Sequence, residues 1–387
     1  MEETKNRRVL THAFAEFCLR PALRRAVLAY FETRENAVLA REAEWQEFFS
    51  FAASLAITPE EKKRIATVRR GDYETLYDRL EAQGIGFVTA EEEAFPAQLL
   101  PNYDAPGWLY FKGKLPTEAV QIAVVGARKC TPYGSETAKL LSARLSARGI
   151  GIVSGLAYGV DKAAHDGALA AGGKTYAVLG CGVDTCYPKS NRDTYDRILS
   201  AGGGILSEYP PGVQPLSCLF PQRNRIIAGL SDGILVTEAK KRSGSLITVT
   251  LGLEYGKNIY AVPGRITDIV SEGCNYLIQE GAKPVFSEED IIEDFAIKLP
   301  KKEAAKSKKN CINYEFFKNT LASEEKMVYA SLRLRSKHIE EIQTETKLPP
   351  DKLAEVLCSL CERGYIKRYG QAHYALTGDY KTFLSER

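Results

Sequence analysis

The chain has 387 residues, long enough for two or three domains at roughly 100–200 residues each, and its 44% of hydrophobic residues suits a globular core. A formal net charge of +3 excludes a uniformly basic protein, so any surface for a polyanion must come from local clustering of lysine and arginine. No run of about 18 apolar residues marks a membrane span, and MEETKNRRVLTHAFAEFCLR does not read as a signal peptide. Nine irregularly spaced cysteines suggest reduced thiols in a cytoplasmic protein rather than a disulfide framework.

Residues 1–83 are charged and aromatic with helical spacing. Leu19, Leu23, Val27 and Tyr30 recur at three- or four-residue intervals and mark one helix face, and Glu60–Arg70 and Tyr73–Gln83 read as further short helices. From 84 to 297 the character changes. Strands are expected at Ile122–Val125, Gly151–Val153, Tyr176–Leu179, Gly204–Leu206, Gly233–Val236 and Asn258–Val262. Helices are expected between them, near Gly134–Arg148, Val160–Ala171, Arg192–Ala201, Pro221–Gly229 and Ser245–Tyr255. Continuously apolar strands alternating with helices imply an α/β, doubly wound parallel sheet covered on both faces. Residues 298–310, KLPKKEAAKSKKN, read as a lysine-rich linker. Residues 311–387 hold three helical stretches and the alternating YIKRYGQAHYAL, which together suggest a winged helix.

In a parallel sheet ligands sit beyond the carboxyl ends of the strands. There the sequence places Gly126, Gly155 and Gly180, then Glu208 and Glu238, then Pro263-Gly264. Glycines let backbone N–H groups approach a ligand, and a helix start behind them adds partial positive charge. Three basic clusters belong to the same edge: Arg128-Lys129, Arg223 and Arg225, and Lys240-Lys241-Arg242. The arginine fork suits phosphate, and charge spread over several loops suits an extended polyanion. Tyr133, Tyr158 and above all Phe220 are candidate platforms for exposed bases.

Other signals carry less. GGKT at Gly172–Thr175 lacks the earlier glycine of a phosphate-binding P-loop and enters a strand instead of following one. No GxGxxG follows Val125, so no dinucleotide cofactor is expected. Asp161 and His165 share a helix face, and the histidine is expected to order a loop rather than relay protons. Glu238 is expected to orient Arg225 or the Ser243–Ser245 turn. Cys358 and Cys361 form one CxxC without a second pair, so core packing is expected and no metal site.

In order, VVGARKCTPYG, SGLAYGVDKAAHDGAL, YAVLGCGVDTCYP, SEYPPG, FPQRNRIIAGLSDGILVTEA, SGSLIT and IYAVPG resemble the DprA/Smf family, over about Gly84 to Phe286. The resemblance implies an extended Rossmann-like core between a small N-terminal SAM-like helical domain and a C-terminal winged helix. It implies a non-enzymatic, cofactor-free recombination mediator that binds and protects single-stranded DNA, loads RecA during natural transformation, and forms a homodimer through the Rossmann-like domain. The family's phosphate loop matches Gly126-Ala127-Arg128, and the loop before its RNR helix matches the segment ending at Phe220 and Arg223. The expected DNA-binding set is therefore Gly126, Ala127, Arg128, Lys129, Tyr133, Gly134, Gly155, Phe220, Arg223, Asn224, Arg225, Lys240, Lys241, Arg242, Ser243, Gly244 and Ser245. Two departures stand out: VQPLSCLF carries no basic residue, and Cys274 stands where threonine is common. The alternative is a nucleotide phosphoribohydrolase-like enzyme working through Glu238 and the SGSL turn, although Arg242-Ser243-Gly244-Ser245 lacks that group's glycine signature.

Overall fold

The computed structural model describes residues 2–17, 21–69, 72–297, 322–332, 337–369 and 372–376. The lysine-rich stretch 298–310 and Leu19 lie outside the described residues. The chain divides into two compact units, Met1–Pro300 and Lys301–Arg387.

The first unit opens with six helices, α1 (Glu2–Phe17), α2 (Pro21–Phe31), α3 (Arg34–Leu39), α4 (Glu42–Phe51), α5 (Pro59–Arg69) and α6 (Tyr73–Ala82). Then come β1 (Gly86–Thr89), β2 (Trp108–Gly113), β3 (Gln121–Val125), α7 (Pro132–Ala147), β4 (Gly151–Ser154), α8 (Val160–Ala170), β5 (Thr175–Val178), α9 (Arg192–Ser200) and β6 (Gly204–Ser207). The unit closes with α10 (Leu219–Leu230), β7 (Gly233–Val236), α11 (Gly244–Glu254), β8 (Asn258–Ala261), α12 (Glu272–Gln279), β9 (Lys283–Pro284) and α13 (Glu289–Ile292).

The nine strands form one sheet in the order β1-β2-β6-β5-β4-β3-β7-β8-β9. All six expected strands are present and pair in parallel with one another. Strands β3 to β7 are buried at every position, as strands covered on both faces must be. The sequence reading missed β1 and β2, which pair antiparallel with each other and extend the sheet beyond β6. They sit in GIGFVTAEEEAFPAQLLPNYDAPGWLYFKGKL, where turn residues break the apolar pattern.

The N-terminal helices do not stand apart from the sheet. Phe14, Leu23, Val27, Trp45 and Phe48 share one apolar cluster with Trp108 and Tyr110 of β2 and with Ala177 and Ile205 of the central strands. His12 of α1 is buried against this face, with Nδ1 2.7 Å from the Tyr110 hydroxyl. Burial pushes its pKa down to about 4.

In the second unit, helices Ser323–Ser331, Ile339–Thr346 and Pro350–Glu362 pack around Val328, Ile342, Leu353 and Leu357. The expected hairpin is present as antiparallel Ile366–Tyr369 and His373–Leu376, and Lys337–His338 adds a third strand. Cys361 packs against this core, but Cys358 is exposed, so core packing accounts for only one of the pair. Among the described residues no helix is long and apolar enough to cross a membrane.

Candidate nucleic-acid interface

Winding runs outward from β3 through β4, β5 and β6 on one side and through β7 and β8 on the other. The point of reversal therefore lies between β3 and β7, where Val125 pairs with Val236. Loops leaving two such strands diverge to opposite faces and open a crevice at the carboxyl edge. A groove of about 600 Å³ lies there. It gathers Gly126, Ala127, Arg128 and Lys129 from behind β3, Phe220, Arg223 and Asn224 from α10, and Lys240, Ser243, Gly244 and Ser245 from before α11. Three segments far apart in sequence thus meet as expected. Tyr133, Gly134, Gly155, Arg225, Lys241 and Arg242 do not line the groove.

Two of the loops at this edge are held by the protein's own carboxylates, Glu238 and Asp161. At the start of α7, Glu238 accepts hydrogen bonds from the Thr131 backbone N–H at 2.8 Å and from its hydroxyl at 2.5 Å. A Cβ on Gly134 would come within 2.3 Å of that carboxyl, so this glycine makes room for Glu238 rather than for a ligand. The reading in which Glu238 orients Arg225 or the Ser243–Ser245 turn is corrected: it braces Thr131, whose hydroxyl caps α7 by accepting from the Gly134 N–H. Glu238 is 2% exposed and is not among the residues lining the groove. Behind β4, Asp161 accepts from the N–H groups of Gly155 and Ala157, at 3.1 and 3.4 Å. Burial raises the Asp161 pKa against the pull of Arg223. His165 is fully buried, bonds Thr175 Oγ1 at 2.7 Å through Nδ1, and is pushed down to about 3 by burial. It orders the β5 edge, as expected of a local role.

The RNR arginines also turn inward. Arg223 is 4% exposed, and its Nη1 donates to the carbonyls of Gly155, at 2.8 Å, and Val178. It closes the carboxyl ends of β4 and β5, and Gly155 is a glycine because a Cβ would strike the guanidinium at 2.3 Å. Burial lowers the Arg223 pKa to about 10. Arg225 pairs with Glu208 at 2.6 Å, and Glu208 also holds Arg24 of α2 at 2.5 Å. Burial pushes the Glu208 carboxyl up, but the two guanidiniums, Arg24 first, hold it below its ordinary value. Arg24 stacks over Trp108, 4.4 Å from the ring centre, and the Trp108 indole donates to the Glu208 carbonyl. Arg225 and Gly155 are therefore structural, not surface ligands. Sequence could not show this, because a partner such as Arg24 lies 184 positions from Glu208.

The open part of the groove is different. Among the described residues no ion pair engages Arg128, Lys129, Lys240, Lys241 or Arg242. Arg128 lies over the Phe220 ring at 5.6 Å. Phe220 faces Tyr187 at 5.5 Å between ring centres, and a Cβ on Gly180 would crowd it at 3.0 Å. Tyr187 also lines the groove and was missed by the sequence reading, although it lies in the loop behind Gly180. Tyr133, taken as a candidate, instead points its hydroxyl to the Pro263 carbonyl. Neither α10 nor α11 has a side-chain cap. Asn224 ties the two starts together through the Gly244 carbonyl at 3.4 Å. Lys241 lies over Tyr276 outside the groove. Cys274 is buried under β7, its thiol 3.6 Å from the Val236 carbonyl.

A doubly wound sheet with a basic, aromatic-lined crevice at its switch point defines a Rossmann-like protein, a class that takes its ligands at that crevice. Residues 86–296 match the family model of DNA recombination-mediator protein A, and the chain belongs to that family. The DNA processing protein DprA of Streptococcus pneumoniae is 48% identical over 205 residues, covering 53% of this chain and 72% of that protein. Protein Smf of Escherichia coli is 40% identical over 244 residues, covering 63% of this chain and 65% of that protein. The X-ray structure of the Streptococcus pneumoniae DprA superposes with a TM-score of 0.58 at 37% identity, over 73% of this chain and 96% of that chain.

Proposed function

We propose that the groove binds single-stranded DNA and that the chain is a non-enzymatic, cytoplasmic recombination mediator that protects incoming strands and loads RecA during natural transformation. The convergence of unpaired cations, two uncapped helix starts and the Phe220–Tyr187 pair in one crevice carries this reading. Phosphates would meet Arg128, Lys129, Lys240 and the start of α11, and an unpaired base would stack on Phe220. A duplex hides its bases from such a platform, which favours single strands. RecA loading, the homodimer through the Rossmann-like unit and natural transformation rest on family membership.

In the same reading, residues 1–83 are a SAM-like helical domain and 84–297 the DNA-binding part. Residues 298–310 are a linker and 311–387 an auxiliary winged helix; three helices and an antiparallel hairpin support the last assignment. The test is retardation of a thymidine oligonucleotide and of a duplex of equal length at about 50 and 200 mM salt, with a slope of roughly −0.7 per phosphate contact expected for the single strand. Equal affinity for both, or no dependence on salt, would overturn the proposal.

A further inference from the structure

The edge that faces the groove offers several helix starts, but they are not equivalent. Glu238 holds Thr131, the residue that caps α7, and Asp161 takes the N–H groups ahead of α8. The start of α11 has neither. Its Ser243 and Ser245 hydroxyls bond each other at 2.7 Å instead of capping the helix, and a Cβ on Gly244 would have nothing within 4 Å. The second observation is independent. Arg223 lines the same groove, is 4% exposed, and leaves its Nε without a hydrogen-bond partner. Only its Nη1 is committed to the strand-end carbonyls. The groove therefore holds a preformed anion seat between the start of α11 and Arg223; the start of α10 is likewise without a side-chain cap.

Such a seat discriminates by charge. An internal phosphodiester brings one negative charge, whereas a phosphate monoester brings about 1.5 to 2 at neutral pH and an additional strong acceptor oxygen. A volume of about 600 Å³ suits one or two nucleotide units. The Phe220–Tyr187 pair lines the same space and supplies a base platform.

We propose that the seat formed by Ser243–Ser245 and Arg223 takes a nucleotide phosphate monoester, so that a phosphorylated strand terminus binds more tightly than an unmodified one. This rests on the single-strand reading above. The monoester could come from a strand end or from a free mononucleotide. A strand end adds the contacts of Arg128, Lys129 and Lys240 to the same event.

The experiment measures affinity of the full chain for thymidine hexamers ending in a hydroxyl, a 5′-phosphate, a 3′-phosphate, or the methyl ester of either phosphate. An unphosphorylated twenty-mer runs in parallel, and thymidine monophosphate serves as competitor. At least one phosphorylated terminus is expected to bind about three- to tenfold tighter, from the extra charge at a helix start, and the methyl ester to abolish the gain. Gly244→Asp puts a carboxylate in the first turn of α11, where the space is open and helix stability does not suffer. The affinity ratio between phosphorylated and hydroxyl ends should then fall to about one. Competition by thymidine monophosphate identifies the free nucleotide as a ligand; a terminal preference without such competition identifies the strand end. If all hexamers bind equally while the twenty-mer binds, the monoester seat is refuted and the single-strand reading stands. A preference that survives Gly244→Asp refutes its location. No binding even of the twenty-mer removes the reading beneath it.

Discussion

Along the carboxyl edge of the sheet, Asp161, Glu208 and Glu238 occupy backbone nests or hold arginines, whereas Arg128, Lys129 and Lys240 face the groove without a carboxylate partner. Both halves come from the same kind of sequence, glycine turns and basic clusters at strand ends. The difference is burial. A guanidinium out of water must be paired or bonded to carbonyls, so Arg225 is drawn into the framework through Glu208 and Arg223 through its Nη1, which leaves the Arg223 Nε unpaired at the groove. An exposed one remains free for a polyanion. The inward half sets the shape of the groove, and the outward half supplies its affinity.

Breaking the inward half should cost most. Glu208→Ala leaves Arg24 and Arg225 buried without their shared carboxylate, and a loss of about 3–5 kcal/mol is expected, read from urea unfolding. A loss under about 1 kcal/mol would mean that the triad is solvated in practice. Because Arg24 belongs to α2, the same variant should also loosen the N-terminal helices from α10.

Acid probes the buried framework more gently. His12 and His165 are neutral in the folded chain, with pKa values lowered to about 4 and about 3, while the unfolded chain takes up their protons near the ordinary 6.5. Between these values the unfolded state binds more protons, so stability is full above about 6.5 and falls as pH drops toward 4. From pH 7.5 to 5 each histidine should contribute about 2 kcal/mol of loss, read as a shift in urea midpoint. A midpoint independent of pH over that range would show that both rings are hydrated, and half the shift that one of them is.

The outward half should respond in binding alone. Arg128→Ala is expected to weaken single-strand binding about tenfold, uniformly across sequences, and to flatten the salt slope, with no change in unfolding midpoint. Lys241→Ala, outside the groove, is the matched control. Equal effects from the two would erase the distinction between groove and surface.

Much of this was legible in the sequence. Apolar runs such as Ile122–Val125 and Gly233–Val236, alternating with helical spacing, determine a parallel sheet, because only strands buried on both faces are apolar at every position. That sheet in turn determines where a ligand sits, so Arg128, Phe220 and Ser243–Ser245 could be placed at one edge from their position after strands. Strands β1 and β2 were not legible, since their pairing depends on a partner, β6, about a hundred residues away. Nor was the fate of each charge. Whether Arg223 points at a phosphate or at the Gly155 carbonyl, and whether Glu238 serves chemistry or braces Thr131 at the start of α7, depends on which groups the fold brings within hydrogen-bond distance. Sequence spacing encodes local periodicity and burial; the pairing of a buried charge is a three-dimensional fact, decided only when distant segments meet.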